Sequence, residues 1–164
     1  MFESPERLRG EIGRLMGVIR RLGDGRYACL LEPGGILFED DDGGEGVADV
    51  RRLIQESREE IFRLPAAMAA GGPLRDVFGG REEDGFLLAF VNARVALIVA
   101  TPEAEGLDER ARRPLRALVD RLLRWRSAYR MDASGRGFFF GAPRLDVVVV
   151  APERASSAPH PKDR

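Results

Sequence analysis

Apolar positions along the chain change their spacing several times, and each change marks an element. Leu8, Ile12, Leu15, Met16, Ile19 and Leu22 recur at helical intervals between arginines, which predicts a first helix. Ser4 and Pro5 supply an N-cap and a first-turn proline, and Gly23-Asp24-Gly25 stops the helix. Tyr27-Ala28-Cys29-Leu30-Leu31 then reads as a strand, and Pro33-Gly34-Gly35 turns it into Ile36-Leu37-Phe38, a first hairpin. Further on, Phe86-Leu87-Leu88-Ala89-Phe90-Val91 and Val95-Ala96-Leu97-Ile98-Val99-Ala100 flank Asn92-Ala93-Arg94. Both runs are too short for helices and lack polar alternation, so each is a strand buried on both faces. Such strands need helices above and below them.

Two further helices are available. Residues 48–64 carry Val50, Leu53, Ile54, Ser57, Ile61 and Leu64 as a core stripe, with Arg51, Gln55, Arg58 and Phe62 along one side. Pro65 kinks or restarts that helix, and residues 66–70 run on to Gly71-Gly72. Residues 108–129 form the last helix, with Ala111, Leu115, Leu118, Leu122 and Trp125 inward and arginines elsewhere. Pro114 places its regular start later than Asp108. Between the second helix and the long apolar strands, residues 74–78 read as a short edge strand.

At 164 residues and 44% apolar content the chain is one domain with extensions. The net charge of −1 gives no bulk attraction to nucleic acid or anionic membrane. The single cysteine, Cys29, fits a reducing compartment. The start lacks a signal-peptide pattern, and no apolar run approaches the roughly 20 residues of a membrane span, so a cytoplasmic protein is expected. Of 26 basic residues only Lys162 is lysine, and the one histidine, His160, lies in the Pro/Ser-rich tail. P-loop, Schiff-base, triad and histidine–zinc chemistry therefore lose their usual residues. No catalytic residue, cofactor or metal is expected.

Residues 39–46 read as an acidic, glycine-rich loop. An EF-hand starting at Asp40 would place Arg51 where the bidentate glutamate belongs, so these carboxylates are expected to stabilise the next helix through its dipole. The arginines of the last helix are expected to snorkel around its apolar stripe rather than bind nucleic acid. Beyond residue 130 the character changes. Phe138-Phe139-Phe140 and Leu145-Asp146-Val147-Val148-Val149-Val150 are uncharged enough to aggregate unless they pair. The segment 131–150 is expected to add a strand to a free edge of the same sheet, opposite the edge formed by residues 74–78. The alternative is that Phe138, Phe139, Phe140, Val147 and Val149 are taken up by a partner. Residues 151–164 read as a disordered tail.

The order is helix, two strands, helix, three strands, helix. With the opening Tyr27-Ala28-Cys29-Leu30-Leu31-Glu32-Pro33-Gly34-Gly35-Ile36-Leu37, the strand Asp84-Gly85-Phe86-Leu87-Leu88-Ala89-Phe90-Val91 and the strand 95–100 leading into an apolar, arginine-rich helix, the chain resembles the roadblock / dynein light-chain superfamily. The likeness covers residues 4–127, within a domain of residues 1–130. It is one of hydrophobic pattern and turns, with no invariant signature.

The resemblance implies an α/β (α+β), profilin-like fold: a five-stranded antiparallel sheet with the middle helix on one face and the terminal helices on the other. It also implies homodimerisation and a platform or regulatory role for a Ras-like small GTPase. By position, the dimer or partner surface would be Arg51, Gln55, Arg58 and Phe62 with Leu74, Val77 and Phe78. The middle helix is more charged here than is common in that superfamily. A rival reading is a GAF- or PAS-like small-molecule sensor, which would need inward-facing polar groups. The apolar strands offer few.

Overall fold

A computed structural model describes residues 4–63, 85–92, 94–133 and 146–150. The elements run α1 (Pro5–Leu22), β1 (Tyr27–Glu32), β2 (Gly35–Asp41), α2 (Val47–Glu56), α3 (Arg58–Arg63), β3 (Gly85–Asn92), β4 (Val95–Thr101), α4 (Leu107–Arg110), α5 (Arg112–Ala133) and β5 (Asp146–Val150). The strands form one antiparallel sheet in the order β2-β1-β4-β3-β5. The mixed α/β class agrees with the sequence pattern, and a five-stranded antiparallel sheet is present as the resemblance implies, with four of its described strands the expected ones and the fifth supplied by the C-terminal segment.

α1 begins where the sequence places it. The Ser4 hydroxyl accepts from the Arg7 N–H at 3.0 Å, and Pro5 occupies the first turn. Its apolar stripe is buried as far as Ile19, but Leu22, the last residue of the helix, is 38% exposed. Strand side chains divide by parity between two separate cores. Ala28, Leu30, Leu87, Ala89, Leu97 and Val99 join α1, α4 and α5 in the first. Tyr27, Cys29, Leu31, Phe86, Leu88, Ile98 and Ala100 join Val47, Val50 and Ile54 of α2 and Ile61 of α3 in the second. β3 and β4 are apolar without alternation for this reason.

Three expectations need correction. The segment expected as one helix over residues 48–64 is two: Ser57 ends α2 with φ −100° and ψ 6°, its N–H bonding to the carbonyls of Leu53 and Ile54, and α3 restarts at Arg58. A short polar side chain is a weak helix former, so packing decides where the helix breaks. The last helix is likewise divided at Ala111, after the single turn of α4. Residues 39–41 belong to β2 rather than to a loop, because tertiary partners hold side chains of low strand propensity there. Their carboxylates are engaged within the chain. Asp40 binds Arg20, Glu39 binds Tyr27 and Arg51, and Asp41 and Asp42 accept from the N–H groups of Gly43 and Gly44. The N-cap of α2 is Gly46, at φ 88°, with no side-chain hydrogen bond.

The fifth strand of the described sheet comes from the C-terminal segment. β5 pairs with β3, placing Phe86 opposite Val150 and Phe90 opposite Asp146, with Val148 and Val150 buried in the second core. The expected edge strand at residues 74–78, the helix after Pro65, Phe138 to Phe140 and the tail from residue 151 lie outside the described residues.

Candidate functional site

The side stripe of the middle helices is brought against the β1–β2 hairpin. A bulge between Leu30 and Leu31 shifts the register so that Glu39 lies opposite Cys29, on the face that meets α2. There the Tyr27 hydroxyl donates to Glu39 Oε1 at 2.6 Å, and Arg51 Nε donates to the same oxygen at 2.8 Å. The Arg51 guanidinium also lies over the Tyr27 ring, 5.7 Å from its centroid. One turn and two turns further, Gln55 sits beside Gly35 and Arg58 donates to the Pro33 carbonyl at 3.0 Å and to the Gln55 carbonyl at 2.6 Å. Arg51, Gln55 and Arg58 are thus one contiguous group. Phe62 stands apart on α3, edge-on to Phe90 at 6.4 Å between ring centroids. It is half-buried against the second core, which accounts for an aromatic residue on that side of the helix.

Electrostatics at this group favour fixed charges over reactive ones. Burial alone would raise the Glu39 carboxyl, but the hydrogen bonds from Tyr27 and Arg51 outweigh it and hold its pKa below the ordinary value. Arg51 is raised by the same carboxylate. Burial pushes the Tyr27 hydroxyl and the Cys29 thiol well above their ordinary values, so both stay protonated. A buried, protonated thiol is neither a nucleophile nor a metal ligand. Among the described residues, no three histidine, cysteine, aspartate or glutamate side chains gather to hold a metal ion. No described helix is long and apolar enough to cross a membrane.

Of the other residues singled out, Val147 and Val149 are partly buried against the first core from β5. Leu74, Val77, Phe78, Phe138, Phe139 and Phe140 lie outside the described residues.

The structure also shows a joint that the local pattern gave no means of finding. Arg20, 8% exposed, donates to Asp40 at 2.6 Å and to the Gly25 carbonyl at 2.9 Å. Beside it the Thr101 hydroxyl donates to the Gly23 carbonyl and accepts from the Glu103 N–H. Arg110 reaches back to the Leu22 carbonyl at 3.1 Å. The only local signal was an arginine near the apolar side of α1, which composition alone cannot distinguish from a snorkelling side chain.

The sequence matches no protein-family model and no curated protein.

Proposed function

We propose that the chain is a non-enzymatic, roadblock-like interaction module that acts as a homodimer and regulates or scaffolds a Ras-like small GTPase in the cytoplasm. One observation carries this reading: α1 and α5 share one core of the antiparallel sheet while the middle segment α2–α3 fills the other. That is the arrangement the resemblance implies.

The chemistry supports a binding role. The reactive groups of the second core are held protonated, and Arg51 and Arg58 of the middle segment are engaged in holding the hairpin. Arg51 and Arg58 would enter a dimer interface already ordered by Glu39 and Pro33, so less side-chain entropy is lost on pairing. A sensor domain would place polar groups toward a cavity. The buried polar side chains among the described residues, Arg20 and Thr101, are instead consumed by structural hydrogen bonds.

Affinity capture from the native cytosol with GDP- or GTP-analogue loading tests the partner, and sedimentation tests the dimer. Nucleotide-dependent recovery of a small GTPase supports the reading. A stable monomer at micromolar concentration that recovers no GTPase ends it.

A further inference from the structure

A net charge of −1 conceals an uneven distribution of charge. Among the described side chains, the unburied charged groups of α1, α4 and α5 are ten arginines against three glutamates and two aspartates. On α2 and α3 they are Arg51, Arg52 and Arg58 against Asp49, Glu56, Glu59 and Glu60, and Arg51 and Arg58 are turned to the hairpin. The sheet and its two cores separate these groups. We propose that the α1–α5 face is a docking surface for an anionic lipid membrane, on which the protein lies with α2–α3 directed away.

Helical spacing collects the charge on one side. Arg113, Arg116 and Arg124 fall opposite the buried stripe of Leu115, Leu118 and Leu122 on α5. Arg14 and Arg21 fall opposite Leu8, Ile12 and Ile19 on α1. The two helices are antiparallel neighbours, joined by Arg121 to Glu11 at 2.6 Å, and Arg110 of α4 reaches the Leu22 carbonyl at the end of α1. The side chains of Arg14, Arg112, Arg113 and Arg116 make no ion pair or hydrogen bond among the described residues, so their guanidinium groups remain available. Guanidinium matches phosphate oxygens well.

The shape and polarity of the face select the occupant. A specific protein partner favours an apolar or aromatic centre, and the one exposed large apolar side chain among the described residues is Leu22, at the end of α1. Duplex DNA is read by an element that enters a groove, whereas two helices side by side present a broad surface. A planar array of anionic headgroups fits both features.

Flotation of the full chain with phosphatidylcholine vesicles, with and without phosphatidylserine, tests this. Binding is expected only with phosphatidylserine and is expected to fall as salt rises. Each basic side chain near such a surface is worth roughly a fivefold gain in affinity. The combined variant Arg14→Gln, Arg113→Gln, Arg116→Gln should therefore lose on the order of a hundredfold, with an unchanged circular dichroism spectrum. Glu56→Gln with Glu59→Gln should retain binding. Equal binding to vesicles lacking phosphatidylserine, or an unaffected triple variant, overturns the proposal. Preferential capture by duplex DNA would also overturn it, and would assign the face to nucleic acid. These substitutions leave the α2–α3 stripe intact, so GTPase capture succeeds or fails independently.

Discussion

Tyr27 and Glu39 meet diagonally across the β1–β2 pair, the phenol donating to the carboxylate at 2.6 Å while Arg51 donates to the same oxygen from α2. The contact joins hairpin to helix and gives stability a dependence on pH. Because the hydrogen bonds hold the folded Glu39 below its ordinary 4.5, its contribution is complete above that pH. It is lost as pH falls through the lower folded value. Glu39→Gln should cost about 1 kcal/mol at neutral pH, given the partial exposure of the pair. It should also reduce the acid sensitivity seen in urea midpoints measured on either side of pH 4.5. An unchanged acid slope would place the linkage elsewhere.

Arg20 offers a sharper test of the joint between α1, the following turn and β2. Arg20→Met keeps an apolar stem but leaves Asp40 and the Gly25 carbonyl without their donor. A loss of about 2–3 kcal/mol is expected in chemical denaturation. Arg20→Met with Asp40→Asn should recover part of it. Additive losses would show that the two residues act separately.

At Gly23 the constraint is steric. An added Cβ would lie 2.8 Å from Thr101 Oγ1 and 3.1 Å from Leu107 Cδ2, although the backbone φ of −108° suits any residue. Gly23→Ala should destabilise by roughly 1–3 kcal/mol. Gly23→Ala with Thr101→Ser should not repair it, since the serine keeps the oxygen. Equal stability of Gly23→Ala and the parent chain would contradict this packing.

β5 carries the next prediction. Val148 and Val150 are buried, so Val148→Ala should cost roughly 2 kcal/mol. Removing the chain after residue 133 should produce a large fall in melting temperature. Backbone amides of Val147 to Val150 should exchange slowly in the free protein. Fast exchange there would favour a strand reserved for a partner.

Phe62 has two roles to separate, its edge-on contact with Phe90 and its place in the proposed dimer stripe. Phe62→Glu should weaken pairing in sedimentation and also lower monomer stability by about 1–2 kcal/mol. Phe90→Leu should lower stability alone. Identical sedimentation of the two variants would remove Phe62 from the interface.

The apolar strands, the cap at Ser4 and Pro5, and the stripes of the terminal helices were legible because local sequence decides them. The hairpin contact was not. Counting outward from the turn pairs Ala28 with Glu39, which would point the carboxylate toward α1. The extra residue at the bulge moves Glu39 opposite Cys29 and onto the other face. Residues 39–41 read as loop for the same reason: their partners, Arg20, Tyr27 and Arg51, are distant in sequence. The arginines of the middle stripe read as part of a dimer or partner surface, and hairpin contacts engage Arg51 and Arg58. Charge segregation between the helical groups is invisible to a net total.

The central seam of the sheet, with Tyr27 opposite Ala100 and Leu31 opposite Ala96, has a consequence during synthesis. β1 leaves the ribosome with β2 as its neighbour on one side and an open backbone edge on the other, flanked by fully apolar side chains. That edge stays unpaired until residue 101 has emerged. Neither core can close before then, because α1 awaits α5 and β1 awaits β4. The first half of the chain therefore spends translation as a sticky template, and its yield in the cell depends on elongation speed and chaperone capture as much as on final stability.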